Sequence, residues 1–267
     1  MPFLKPEHDK RGSLRLFPCL CQTTFMPTSL LRQILLATAV TSAFISSAQA
    51  ALTISATRIV QASDKQSSSI TVANPSTQAF AVQSWVNTDV DDGTTAVPLI
   101  AAPALFRLDP GKEQTVQINR LPNDLPDDRE SLFFFNVQEI PQVQDEQANT
   151  LTIALRTRIK LFYRPVGLQG SVQDGLNALQ WSLRHNDGKA QLTVHNPSPY
   201  HYTFRNLQVG QSTARKSIQA REMVAPKSTQ AYDLPTSALA PGMQVFFTTI
   251  NDYGGTTREV TAPVSGL

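Results

Sequence analysis

Short runs in which apolar and polar residues alternate recur about every ten residues in the later part of the chain. Proline and glycine separate these runs, and no long segment there has the 3.6-residue apolar period of a helix. Alternation with a period of two is typical of half-buried strands, and closely spaced strands with turn residues between them indicate a sandwich or barrel. The runs include residues 69–72, 80–86, 115–118, 191–194 and 245–250. The sequence therefore predicts an all-β fold.

The two halves of this region resemble each other. One strand-like run ends in Asn74-Pro75-Ser76, and another ends in Asn196-Pro197-Ser198. Proline fixes φ and asparagine bonds its own backbone, so both tripeptides predict turns. A Pro-containing turn follows each of them, and then a phenylalanine-rich strand: Asp109-Pro110-Gly111 and Phe133-Phe134-Phe135 in the first half, Ala225-Pro226-Lys227 and Phe246-Phe247 in the second. Three matches in the same order predict two tandem sandwiches of about 100 residues each.

The first fifty residues predict an export signal. Arg32 precedes an apolar run over residues 34–45, and Ala48-Gln49-Ala50 follows it. A positive lead, a short apolar run and an A-x-A site are the parts of a secretory signal peptide, and the run is shorter than the ~20 residues that a membrane-spanning helix needs. A buried core helix is the alternative. We expect cleavage after Ala50, with Met26 as the natural start of the signal and residues 1–25 as either an over-called start or an unusually long charged lead.

Charge and cysteine content exclude several classes of protein. Residues 1–50 contain five of the 23 basic residues, two of the 21 acidic residues and both cysteines, so the remaining 217 residues carry a formal charge of −1 and cannot form a disulfide. A balanced charge argues against nucleic-acid binding. Nucleotide-binding and hydrolase motifs are absent, and His195 and His201 lack zinc-ligand spacing. We expect no enzyme activity, no metal and no cofactor, and interpret the carboxylate pairs Asp91-Asp92 and Asp127-Asp128 as solvated turns.

Residues 149–164 predict one unusually long strand. They contain no glycine or proline, and apolar residues share one parity: Leu151, Ile153, Leu155, Ile159, Leu161 and Tyr163. Sixteen residues would extend about 50 Å, against a usual strand of five or six residues. It is either an ordinary long sandwich strand or an edge that pairs with another chain.

The chain resembles the periplasmic pilus-assembly chaperones of the chaperone–usher pathway along its whole exported part. The resemblance rests on six segments: residues 57–60, 128–136, 139–141, 158–165, 196–200 and 250–255. It implies two immunoglobulin-like domains in an L shape, over residues 51–167 and 168–267, and no catalysis. The short segment between Pro141 and Asn149 resembles the short-loop subfamily that builds rod-like pili.

The resemblance also implies roles for single residues. Arg58 and Lys160 match the two cations that anchor the C-terminal carboxylate of a pilus subunit. Leu151, Ile153 and Leu155 match the apolar row that fills the open groove of an incomplete subunit, which is donor-strand complementation. Glu130, Arg164 and Asp252 match an ion network between the two domains.

The partners follow from the same resemblance. We expect the chain to bind pilus subunits in the periplasm, to deliver them to an outer-membrane usher, and to form a self-capping dimer when free. A secreted adhesive or ligand-binding sandwich module is the alternative. It would explain the export signal and the tandem domains, but it would not require Arg58, Lys160 and a long apolar strand together.

Overall fold

The computed structural model describes residues 52–140, 153–186, 189–234 and 242–266. Across these ranges the chain forms sixteen strands and one short helix, α1 (Val172–Asn177). The strands are β1 (Thr53–Ile54), β2 (Arg58–Ala62), β3 (Ser67–Ala73), β4 (Phe80–Asn87), β5 (Leu99–Ala102), β6 (Leu105–Leu108), β7 (Glu113–Arg120), β8 (Ser131–Ile140), β9 (Arg156–Arg164), β10 (Gln180–Asn186), β11 (Lys189–Asn196), β12 (Phe204–Gln211), β13 (Ala214–Ser217), β14 (Ser228–Asp233), β15 (Gln244–Thr249) and β16 (Val260–Ser265). No helix in the described part is long and apolar enough to cross a membrane.

Strands β1–β9 form the N-terminal sandwich. One sheet has the order β1-β3-β7-β5 and the other the order β2-β9-β8-β4-β6. Alternate residues of each strand face inward, so that Val72, Val82, Val116 and Phe135 are fully buried in one core. The chain crosses from the first sheet to the second between β1 and β2, which brings β2 next to β9.

Strands β10–β16 form the C-terminal sandwich around a separate core. They are joined in the order β13-β12-β15-β16-β10-β11-β14, and β16 pairs with both β15 and β10. Trp181 packs against the rings of Phe204 and Phe247 at 5.4 and 5.2 Å between centroids. The prediction of an all-β chain with two sandwich domains is confirmed.

The repeated Asn-Pro-Ser turn has the same hydrogen bonds in both sandwiches. Nδ2 of Asn74 donates to the carbonyls of Gln78 and Leu108, and Nδ2 of Asn196 donates to those of Tyr200 and Ala225. In each turn the asparagine Oδ1 also accepts from the backbone amide and the hydroxyl of the serine two residues later. One buried side chain therefore joins each turn to a distant loop.

The long strand predicted over residues 149–164 is shorter in the described part of the chain. β9 begins at Arg156, and residues 153–155 are described but are not in a strand. Residues 149–152 lie outside the described ranges, as does the short segment on which the subfamily prediction rests. The β8–β9 ladder ends at the Gln138–Arg156 pair, although β8 continues to Ile140 and the backbone amide of Glu139 still donates to the carbonyl of Leu155.

We predict that each turn asparagine stabilises its own sandwich. Asn196→Ala removes four hydrogen bonds and takes the side-chain donor from the buried carbonyl of Tyr200, so we expect a loss of roughly 2–4 kcal/mol in the free energy of unfolding. Urea unfolding measures it, with Asn206→Ala, an exposed position on β12, as the control. A difference between the two variants below about 0.5 kcal/mol would contradict this prediction.

Candidate functional site

Two cations lie side by side at the end of a parallel strand pair. β2 runs parallel to β9, and Arg58 is directly opposite Lys160 in the register. Neighbouring strands lie about 4.8 Å apart, so this pairing brings together two residues a hundred positions apart in the sequence. Both side chains are half-buried. The structure therefore places the two predicted anchor cations next to each other.

The C-terminal sandwich provides the hydrogen bonds of both cations. Arg58 donates from Nη1 to the carbonyl of Ile250 at 2.9 Å, and Lys160 donates from Nζ to Oγ1 of Thr203 at 2.9 Å. The Nε atom of Arg58 is buried and has no hydrogen-bond partner. Within the described residues, no carboxylate lies within 4.0 Å of either cation. The pair keeps unused capacity to bind an anion.

Burial makes both charges costly. It lowers the pKa of Arg58, although the charges of Asp252 and Glu130 oppose the shift. Burial, together with the charge of Arg58, lowers the pKa of Lys160 to about 8. Like charges disfavour each other's charged form, and an opposite charge would reverse the shift. An incoming anion would therefore offset the unfavourable burial and repulsion of the two cations, which the free protein retains.

A cavity of about 190 Å³ opens beside Arg58 between the two sandwiches. Its lining includes Phe162, His201 and Tyr253 as well as residues of the ion network. The ring of Phe162 lies 5.8 Å from the Arg58 guanidinium carbon and packs against His201. Tyr253 projects almost entirely into solvent at the edge of this cavity. The walls of this cavity thus combine apolar side chains with charges of both signs, and Arg58 is the anchor cation that lines it.

The predicted apolar row divides into a buried part and an exposed part. Ile159 and Leu161 lie in the N-terminal core, whereas Ile153 and Leu155, on the same parity, are 62% and 51% exposed. Leu151 lies outside the described residues. β2 pairs with β9 only from Lys160 onward, so residues 156–159 have an unpaired edge on that side in the described part of the chain. An unpaired edge next to exposed apolar side chains is a template for strand addition.

The polar face of β9 is tied to the loop after β4. Arg156 bonds the Asp91 carboxylate with both terminal nitrogens, and Arg158 donates to the carbonyl of Thr88 at 2.6 Å. The bonds from Arg156 and Asn87 hold the pKa of the Asp91 carboxyl below its usual range. Asp91 is an exposed loop residue, as expected, and it additionally pairs with Arg156. Asp128 likewise pairs with Lys227 of the C-terminal sandwich.

Arg164 joins the two sandwiches by bonding Glu130 and Asp252, the two residues that the resemblance grouped with it as an ion network. Its Nε lies 2.7 Å from Oε1 of Glu130, and its terminal nitrogens bond both carboxylate oxygens of Asp252 at 2.7 and 3.0 Å. Burial alone would lower the pKa of Arg164, but the hydrogen bonds and charges of the two carboxylates raise it. The other oxygen of Glu130 accepts from the backbone amide of His201 at 2.8 Å. The buried Glu130 therefore contacts both domains.

Sequence reasoning missed three residues at this site. Thr203 and His201 bond Lys160 and Glu130, yet no spacing rule marks them, because their contacts form only when the two sandwiches meet. Glu139 lies buried at the end of β8. The sequence does carry a signal for Glu139, because an acidic residue occupies a position of the same parity as the apolar Phe133, Phe135 and Val137. No group of three possible metal ligands occurs among the described residues.

Two family models match the chain. The N-terminal domain of the pili and flagellar-assembly chaperone PapD matches residues 51–169, and the C-terminal domain of the pili assembly chaperone PapD matches residues 174–261. The probable fimbrial chaperone YadV of Escherichia coli K12 is 38% identical over 222 residues, which are 80% of this chain and 90% of YadV. The Escherichia coli chaperone protein PapD is 33% identical over 229 residues, covering 85% of this chain and 92% of PapD.

Solved structures agree with these matches. The crystal structure of YadV has a TM-score of 0.69 at 36% identity, covering 79% of this chain and 98% of that one. The Salmonella enterica SafB chaperone, solved in complex with the SafA pilin, has a TM-score of 0.70 at 25% identity, covering 82% and 98%. Both domains are matched in their order along the chain. This chain belongs to the family of PapD-like pilus-assembly chaperones.

Proposed function

We propose that this protein binds pilus subunits in the periplasm, completes their open sandwich with the segment before β9, and passes them to an outer-membrane usher. The observation that carries the proposal is the Arg58–Lys160 pair, which is half-buried and has no carboxylate partner among the described residues. A chain-terminal carboxylate is a small anion that can accept hydrogen bonds from both cations. The solved complex of the SafB chaperone with a pilin supports a pilin as the partner.

The positions of the cations and the apolar row give the direction of the bound strand. A bound chain whose C-terminus lies at Lys160, and whose preceding residues lie along the unpaired edge back to Ile153, runs parallel to β9. Seven residues separate the two positions, which is about 23 Å of extended chain. Pinning the chain end also fixes the register, because a slip by one residue would turn every side chain to the opposite face. The anchor thus decides which subunit residues meet the apolar row.

The ion network has a separate role in this proposal. Arg164, Glu130 and Asp252 hold the two sandwiches in one orientation, which keeps Thr203 and Ile250 over the cations. The desolvation cost of buried ion networks largely offsets their attraction, so they add little net stability. This network instead specifies one arrangement of the two sandwiches. We assign the network a positioning role.

Export completes the proposal. Within residues 1–50, the signal peptide starts at Met26 and is removed after Ala50, and the N-terminal family model supports this boundary by beginning at residue 51. The two sandwiches extend over residues 51–167 and 168–267, the protein is of the short-loop type, and a dimer protects the apolar row when no subunit is bound. The function needs no catalysis, metal or cofactor, since binding alone protects the subunit.

The alternative of a secreted adhesive module has less support. Such a module would have no need for two half-buried cations without a carboxylate partner beside exposed apolar side chains. Membership of a chaperone family also argues against it.

We predict that Lys160→Ala folds normally but loses its partner. Removing one member of a buried charge pair costs about 2–5 kcal/mol, or roughly 30-fold or more in affinity. The probe is a labelled peptide of about eight residues, alternately apolar and polar, with a free C-terminal carboxylate. Lys112→Ala, an exposed lysine of the same sandwich, is the matched control. Equal affinity of the two variants would exclude the anchor.

The affinity of this peptide should fall with rising pH. The pKa of free Lys160 is about 8, and a bound carboxylate raises it, so binding above this pH takes up a proton. Affinity should then decrease by up to roughly tenfold per pH unit above pH 8. In Lys160→Arg the charge persists, so its profile should be flat up to about pH 10. The same slope in both proteins would contradict the assignment of the proton to Lys160.

A charge in the apolar row should abolish protection of a subunit. We expect Ile153→Asp to keep the melting temperature of the chaperone, because the side chain is exposed, and to prevent recovery of a co-expressed pilus subunit from the periplasm. Ile100→Asp, at an exposed isoleucine on the outer face of β5, is the control. Subunit recovery by Ile153→Asp equal to that of the control would remove this residue from the binding surface.

A further inference from the structure

Glu139 is a carboxylate at a position that faces the N-terminal core. Along β8, Phe133, Phe135 and Val137 point into that core, and Glu139 has the same parity. Only 6% of its surface is exposed. A buried charge is unfavourable unless hydrogen bonds or an opposite charge satisfy it. Its presence at the end of an apolar row therefore needs a physical reason.

Two backbone amides are the hydrogen-bond donors to this carboxylate in the described residues. Oε1 accepts from Leu155 at 3.3 Å and Oε2 from Leu52 at 3.5 Å. In the same part of the chain, no lysine, arginine or histidine forms an ion pair with Glu139. The backbone amide of Glu139 also donates to the carbonyl of Leu155 at 3.1 Å. Glu139 thus holds Leu155 with its main chain and its side chain together.

Leu155 is also the point at which the apolar row leaves the core. Ile159 is buried, Thr157 is half-buried, and Leu155 and Ile153 are exposed, although all four share one parity. An apolar side chain at position 139 would extend the core to the level of Leu155 and give it a surface to pack on. A carboxylate gives no such surface and binds the amide instead. Glu139 therefore lies beside Leu155, the residue at which the row changes from buried to exposed.

We propose that Glu139 is a positioning residue that ends the chaperone's own core and keeps Leu155 and Ile153 available to a bound subunit. It acts through Leu155: its carboxylate fixes the main chain at Leu155, where the row leaves the core, while the side chains of Leu155 and Ile153 stay exposed. This inference rests on the proposed function, because the row matters only if another chain binds it. It adds a residue that decides how much of the row is available.

The test compares Glu139→Leu with Glu139→Gln in the full exported chain. In Glu139→Leu, we expect the melting temperature to stay the same or rise, the amides of residues 153–155 to exchange at least tenfold more slowly, and affinity for the labelled alternating peptide to fall at least tenfold. Glu139→Gln keeps one acceptor oxygen for the Leu155 amide on a side chain of the same size and should stay within about threefold of the wild type. Glu113→Leu, at an exposed glutamate on β7, controls for an added leucine.

Glu139→Ala keeps the inference testable if the leucine variant does not fold. It removes the acceptor of the Leu155 amide, so exchange at Leu155 should be at least tenfold faster than in Glu139→Gln, and peptide affinity at least fivefold lower. Unchanged exchange and affinity in both the leucine and the alanine variants would overturn the inference. If instead Lys160→Ala binds as tightly as the wild type, the proposed function fails, whatever the Glu139 variants do.

Discussion

Two like charges held next to each other are the constraint on which the rest of this structure depends. The parallel pairing of β2 with β9 sets Arg58 opposite Lys160, and unit charges at such distances repel strongly when they are shielded from water. The C-terminal sandwich relieves this repulsion only in part, with one carbonyl and one hydroxyl group. The cations therefore need both sandwiches in a fixed orientation, which the contacts of Arg164 with Glu130 and Asp252 provide.

One strand serves several purposes. Alternate residues face its two sides, and on the apolar side the buried and the exposed residues lie at different positions along the chain. On the apolar face of β9, Ile159 and Leu161 belong to the chaperone's own core, while Ile153 and Leu155 before the strand are exposed. On the polar face, Arg156 and Arg158 bind the loop after β4 and stack over Trp85 and Phe134. That packing ties down the face of the strand that a partner would not use, so the strand can be rigid and still have an unpaired edge.

The fold was more predictable from the sequence than the site. Alternation and turn chemistry are local signals, and for this reason the Asn74 and Asn196 turns and both sandwiches could be predicted. The adjacency of Arg58 and Lys160 was suggested by family resemblance, since strand pairing across a hundred residues leaves no local signal. The partners Thr203 and His201 could not be predicted, because domain contacts create them. Asp91 looked like a turn residue, and its pairing with Arg156 depends on the path of a loop.

The most direct test compares a pilus subunit's C-terminal peptide as the free acid with the same peptide as the amide. The amide keeps every side chain and removes only the terminal charge, so binding by calorimetry isolates the anchor. We expect the wild type to bind the acid at least about 30-fold more tightly than the amide, and this preference to disappear in Arg58→Ala and in Lys160→Ala. Equal binding of acid and amide by the wild type would contradict the claim that these two cations hold a chain end.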